Sequence, residues 1–238
     1  MKHTLLSLCM VFLITLTGCK HRPISNSGYD SNPLFRGELN ELAILGIDAN
    51  DSISESDIQL AIQKQGQIKL SRRDKIVLIQ SGARFPDDAF LEEIEALYQV
   101  IPLSGIPNNR TESPFGNRSN EIDTDPPLDK ALRLTAARAG ASTVIVYWGI
   151  LESSRKGFAT KSVSWVPIVG SFIPDEDQEM RIRLKAAVID VATGYWEMLI
   201  PEVYEDKQFS TGLSRHQRDQ QQVEFLKEKG YRRLIADL

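Results

Sequence analysis

Few residues in this 238-residue chain stand at spacings that chemistry requires. The histidines are His3, His21 and His216, and no His-Glu-x-x-His pair sets two imidazoles on one helix face for a metal. Asp48-Ala49-Asn50-Asp51-Ser52 begins like a calcium loop. Ile53 then stands where that loop needs Gly, and Gln59 where it needs a bidentate Glu, so a polar turn is the better reading. Asp123 and Asp125 read as helix-capping residues before Pro126 and Pro127. Ser214 and His216 are a Ser and a His in proximity, but residues two apart on a helix do not face each other, and Ser214 reads as the N-cap of the last helix. There is no Gly-x-Ser-x-Gly elbow, and Glu92, Glu93 and Glu95 read as the wet face of a helix. The expectation is a protein without catalytic residues, metal ligands or a small-molecule cofactor, and not an enzyme.

One residue does carry a chemical signature. After Met1-Lys2-His3 comes a mostly apolar run over 5–16, too short to span a bilayer and the right length for the core of a signal peptide. It ends in Leu16-Thr17-Gly18-Cys19. This resembles the bacterial lipobox, at which a diacylglycerol is attached to the Cys thiol, the chain is cut just before that Cys, and the new amino group is N-acylated. The resemblance implies a signal peptide over 1–18 and a lipidated Cys19. Cys9 would leave with the signal, so the mature chain would have no second thiol for a disulfide. Several acyl chains together make a stable membrane anchor. Lys20 follows the Cys, where an Asp would retain such proteins in the inner membrane of enterobacteria. The implied location is the cell envelope, on the outer membrane facing the periplasm.

The remaining composition is that of an ordinary globular domain. It is 42% hydrophobic and 25% charged, with net charge −4, which argues against a nucleic-acid partner. Residues 19–48 hold Ser, Asn, Gly and Pro among scattered apolar positions and read as a flexible tether, with a short ordered stretch at 38–45. Residues 49–238 read as one domain. Ser54-Glu55-Ser56-Asp57 resembles a capping box for a helix to about 64 that would bury Ile58, Ala61 and Ile62. A dense apolar run at 75–80 reads as a buried strand, 86–98 as a helix with Phe90, Ile94, Leu97 and Tyr98 along one stripe, and 100–106 as a strand. Residues 107–127, rich in Asn, Pro, Ser and Gly, read as a long polar loop. A helix over 128–139 stops at Gly140, and 142–150 reads as a strand covered on both faces. Beyond 150, Met180, Ile182, Leu184, Ala186 and Val188 alternate with Arg181, Arg183 and Lys185, predicting a half-buried antiparallel strand. It turns through Ala192-Thr193-Gly194 into a return strand at 196–200, and 217–238 is a helix that Gly230 could break. The expected fold is α/β: a two-layer sandwich on a mixed sheet, β-α-β-α-β followed by antiparallel hairpin strands and a C-terminal helix.

The strand at 75–80, the Ala-rich helix leading into Ala139-Gly140-Ala141-Ser142-Thr143-Val144-Ile145-Val146, and the Asp190-Val191-Ala192-Thr193-Gly194 hairpin resemble a group of periplasmic α/β lipoprotein domains. These are the curli secretion channel subunit, the penicillin-binding-protein activator lipoproteins, and the N-terminal domain of the Tol-system β-propeller protein. The resemblance covers about 70–205 and implies protein binding or assembly rather than catalysis. Residues 157–174 are apolar and carry Trp165, Ile168 and Phe172, with Pro167 and Pro174. They read as a packed hairpin, as a partner-binding patch, or, through the curli resemblance, as a membrane-inserting element. The functional expectation is a lipid-anchored, non-enzymatic envelope lipoprotein that binds an envelope protein or a cell-wall assembly. An oligomeric secretion-channel subunit and a cell-wall or lipid hydrolase are the alternatives.

Overall fold

The computed structural model describes residues 23–26, 35–47, 52–63, 66, 68–107, 126–156, 163–167, 177–209 and 215–238, with backbone alone at 153–156, 163–167, 177–179, 206–209 and 215–219. The strands are β1 (Lys75–Ser81), β2 (Gln99–Gly105), β3 (Thr143–Lys156), β4 (Val163–Pro167), β5 (Asp177–Asp190), β6 (Trp196–Leu199) and β7 (Tyr204–Phe209). The helices are α1 (Glu41–Ile44), α2 (Glu55–Gln63), α3 (Asp88–Glu95), α4 (Leu128–Arg138) and α5 (Arg215–Ala236). One open mixed sheet runs β2-β1-β3-β5-β6, with β4 joined to β3 and β7 to β5. β1 is parallel to both β2 and β3, and every other pairing is antiparallel.

The α/β class, the mixed sheet and the C-terminal helix are as expected. The layering differs. Side chains of a strand alternate between faces, and every residue of β1 from Ile76 to Ile79 is fully buried. Ile76 and Leu78 pack with Phe90 and Ile94 of α3 and Leu226, Tyr231 and Leu234 of α5. Val77 and Ile79 pack on the other face with Ile44 of α1 and Ala136 of α4. Helices therefore cover both faces of β1, giving three layers where two are expected. The order explains it: the crossover from β1 to β2 runs one way across the sheet and that from β2 to β3 runs back, so two crossovers of one hand put α3 and α4 on opposite faces. Each fully buried aliphatic side chain contributes about 1.5–3 kcal/mol relative to exposure, so Ile76, Val77, Leu78 and Ile79 together strongly favour the burial of β1.

Other expectations are altered by packing. α2 has its capping box, with Ser54 Oγ donating to Asp57 Oδ2 at 2.6 Å and Asp57 N–H donating to Ser54 Oγ at 3.3 Å. Yet none of its residues is buried, and Ile58, Leu60 and Ile62 are about half exposed. Gly230 does not end α5; a Cβ there would stand 3.0 Å from Ile182 and Leu184, so its bareness lets the helix lie close on β5. β3 and β5 run to fourteen residues each, beyond the α/β body, and β4 and β7 flank that extension. Within the stretch read as a tether, residues 23–26 and 35–47 pack on the sheet, Ile24 at 2% and Ile44 at 1% exposure.

Candidate functional site

In open α/β sheets the crevice outside the carboxyl ends of parallel strands, where successive crossovers diverge, is the usual place for ligands. Here that point is the end of β1. Gln80, fully buried, accepts from Tyr147 Oη at 2.6 Å and from the Asp87 backbone N–H at 2.7 Å. Asp87 is the N-cap of α3, but its carboxylate does not cap the helix. It accepts instead from Tyr231 Oη and from Lys227 Nζ, the latter at 2.9 Å. Phe90 lies edge-on to Tyr147 at 4.5 Å and stacks on Tyr231 at 4.9 Å, sealing the polar groups beneath it. Burial, followed by the neighbouring Asp87 charge, pushes the Tyr147 phenol well above its ordinary value. Burial, then Tyr147 and Asp87, does the same for Tyr231. Both therefore act as neutral donors. Among the described residues, Gln80 Nε2 is the buried side-chain polar atom that has no partner. Asp87, doubly held, joins α3, α5 and β1; the arrangement is a clamp between layers.

The chain's own N-terminal segment lies on this crevice. Pro23 makes an antiparallel bridge to Ile150, and Ile24 lies so close to Gly149 that a Cβ there would meet it at 3.1 Å. Ser25 Oγ donates to the Ser81 carbonyl, and Leu39 N–H donates to Ser81 Oγ at 2.8 Å. Gly82 follows with φ of +79°, where a Cβ would stand 2.7 Å from the Phe35 ring, so only glycine suits both the turn and the covering chain. Trp148 Nε1 donates to the Leu39 carbonyl at 3.3 Å, and Lys185 pairs with Glu41 of α1. Burial raises the Glu38 carboxyl, with Lys185 partly opposing the shift. We call residues 23–26 and 35–40 the strap.

The third feature is the sheet extension, formed by the far halves of β3 and β5 with β4 and β7. Glu152, nearly buried, accepts from Arg181 Nε at 2.5 Å and lies 3.9 Å from Arg183. At the opposite end of the sheet, the hairpin after β5 is set by Asp190 Oδ1, which accepts from Thr193 N–H at 2.7 Å. Arg133 of α4 donates to the Val191 and Ala192 carbonyls at 3.0 and 3.1 Å and holds that turn down.

A family model described as YafT bacterial lipoprotein matches residues 40–238. The chain belongs to the YafT bacterial lipoprotein family. No curated protein matches it. Membership supports a bacterial lipoprotein associated with the cell envelope; it bears on none of the individual relatives expected from the sequence. The YafT match starts at Asn40, just before α1, and includes every described strand, the Asp87 clamp and both cores apart from Ile24 and Leu39. No described helix is long and apolar enough to cross a membrane.

The residues singled out from sequence fall unevenly on this YafT domain. Cys19, Ile168, Phe172 and Ser214 lie outside the described residues. Trp165 is in β4, with its backbone paired opposite Ser154 of β3. His216 is in the first turn of α5. Asp190, Thr193 and Gly194 form the expected turn. The clamp was not legible in the sequence: Gln80, Asp87, Tyr147, Lys227 and Tyr231 come from four elements, and only Lys227 and Tyr231, four apart on α5, share a local spacing.

Proposed function

We propose that this YafT-family lipoprotein is acylated on Cys19, resides on the outer membrane facing the periplasm, and works as a non-enzymatic binding or assembly factor in the envelope. The observation that carries the reading is the Leu16-Thr17-Gly18-Cys19 motif at the end of an apolar run, leading into a folded domain of a lipoprotein family. The lipid is covalent, a diacylglycerol on the thiol and an acyl chain on the amino group, and no further cofactor is needed. The partner is an envelope protein or a cell-wall assembly, with Trp165, Ile168 and Phe172 of 157–174 as the contact residues. A few buried anchors, Trp prominent among them, carry most of the energy in protein interfaces.

Replacing Cys19 by Ala in the native host tests the anchor. The variant should lose its acyl mass and leave the membrane fraction, and an unchanged acylated, membrane-bound protein refutes the claim. Crosslinking in intact cells tests the partner. W165A with F172A should lose an adduct that the unaltered protein forms, and retention of the same adduct refutes that contact.

A further inference from the structure

We infer that the break in the β3 ladder filled by Pro23-Ile24-Ser25 is a strand-addition site, and that an extended, aliphatic segment of the envelope partner takes the place of these strap residues. The inference rests on the reading of this protein as an envelope binding factor, and gives that reading a site and a peptide chemistry. The break follows from the pairing. β5 takes one edge of β3 from Thr143 to Ser153. β4 pairs with Glu152 and Ser153 as well, so it lies on the other edge, which it shares with β1. The last pair with β1 is Gln80–Tyr147, and the first with β4 is Glu152–Pro167. Between them Trp148, Gly149, Ile150 and Leu151 meet no described strand on that edge, and among the described residues their cover is the single bridge from Pro23 to Ile150.

The strap fills this break incompletely. Pro23 has no N–H to give to a ladder, and the chain turns off at once into a 3-10 turn over Ile24–Asn26. An extended segment with an ordinary residue in place of Pro23 would pair along more of the break. Strand addition draws affinity from such main-chain bonds and specificity from pockets for alternate side chains. The pocket is present. Gly149 has no side chain, and a Cβ there would stand 3.1 Å from Ile24 and 2.5 Å from Leu184. The bare backbone leaves a recess that holds Ile24 at 2% exposure.

The surroundings select the chemistry. Tyr147, Leu151 and Leu184 belong with Ile24 to one apolar core. Glu152, next along β3, turns to the opposite face and is already held by Arg181. Ser25 Oγ donates to the Ser81 carbonyl, so a hydroxyl following the aliphatic residue is accepted. A neutral segment with a branched aliphatic side chain therefore fits, and a charged side chain in the recess does not. The family match starts at Asn40, so the break lies inside the matched domain and the residues that fill it lie outside.

Two measurements on the full mature protein in detergent micelles test this. In hydrogen exchange the Ile24 amide should exchange at least a hundredfold faster than those of Ile76–Ile79, because these strap residues lift without unfolding β1. Equal protection means that they leave only with the whole domain, and overturns the inference. The second measurement uses a fluorescent peptide of residues 20–26 carrying Pro23→Val. It should bind I24A protein at least tenfold more tightly than the unaltered chain, whose own strap competes. S25A should act in the same sense to a smaller degree, and a peptide that also carries Ile24→Asp should not bind. No binding to I24A protein, equal binding to I24A and unaltered protein, or equal binding of the Asp peptide overturns the site. These outcomes leave the wider reading standing; that reading fails instead if the protein forms no crosslinked adduct in intact cells.

Discussion

Replacing Lys227 by Met keeps the aliphatic stem and removes the ammonium that faces Asp87 at 2.9 Å. The Lys227 side chain is 9% exposed and that of Asp87 26%, so the pair is mostly but not wholly withdrawn from water. Removing one partner of a fully buried pair costs about 3–5 kcal/mol, because the remaining charge is stranded. Here Asp87 keeps the Tyr231 hydroxyl and a route to solvent, which lowers the expected loss to about 2 kcal/mol, toward the range of one charge-assisted hydrogen bond. For a chain of this size that is roughly 4–8 °C in Tm. Urea unfolding followed by circular dichroism measures it, and the slope should be unchanged because the unfolded surface is the same. Adding D87N should recover part of the loss, since the stranded charge is then gone, giving a coupling of about 1–2 kcal/mol in the double-mutant cycle. A K227M loss below about 0.5 kcal/mol, the size of an ordinary surface change, or the absence of coupling refutes the clamp.

Three further outcomes follow from particular atoms. G82A should destabilise by about 1–3 kcal/mol, through positive φ and a Cβ 2.7 Å from Phe35, and should speed tryptic cleavage at Arg36 as the strap loosens. Unaltered cleavage contradicts the strap. G230A should also destabilise: alanine gains about 1 kcal/mol of helix propensity, but contacts at 3.0 Å to Ile182 and Leu184 push α5 off β5, an overpacking cost of about 1–3 kcal/mol. A stabilised variant shows that β5 yields at no cost. The buried phenols of Tyr147 and Tyr231 have raised values when folded, so their contribution is fully present below the ordinary phenol value of about 10 and is lost as pH climbs through the folded values. Absorbance titration should show these two tyrosines ionising only as the protein unfolds in alkali, and normal ionisation of both in folded protein contradicts their burial.

What the sequence made legible is what repeats locally. The apolar run of β1 and the β-branched run of β3 announce strands buried on both faces, and the Asp190-x-x-Thr193-Gly194 turn is written in adjacent residues. Periodicity shows which face of a helix can be buried, not whether a partner arrives. α2 has the stripe and the capping box, yet Ile58 and Ile62 stay about half exposed. The extension was concealed because Glu152, Ser153, Ser154, Arg155 and Lys156 are polar, and β7 because four of the six residues in Tyr204–Phe209 are polar or charged, with no alternating apolar face. Both are strands because the long β5 pairs with them. Gly230 reads as a breaker only while β5 is unseen. The strap and the clamp join residues dozens of positions apart, and no spacing rule reaches that far.

The most direct measurement is the intact mass of the protein taken from the membranes of its own host. The account expects a mature chain whose first residue is Cys19, heavier than its polypeptide by a diacylglycerol and one amide-linked fatty acid. A chain that starts at any other residue, or whose mass is that of polypeptide alone, contradicts it.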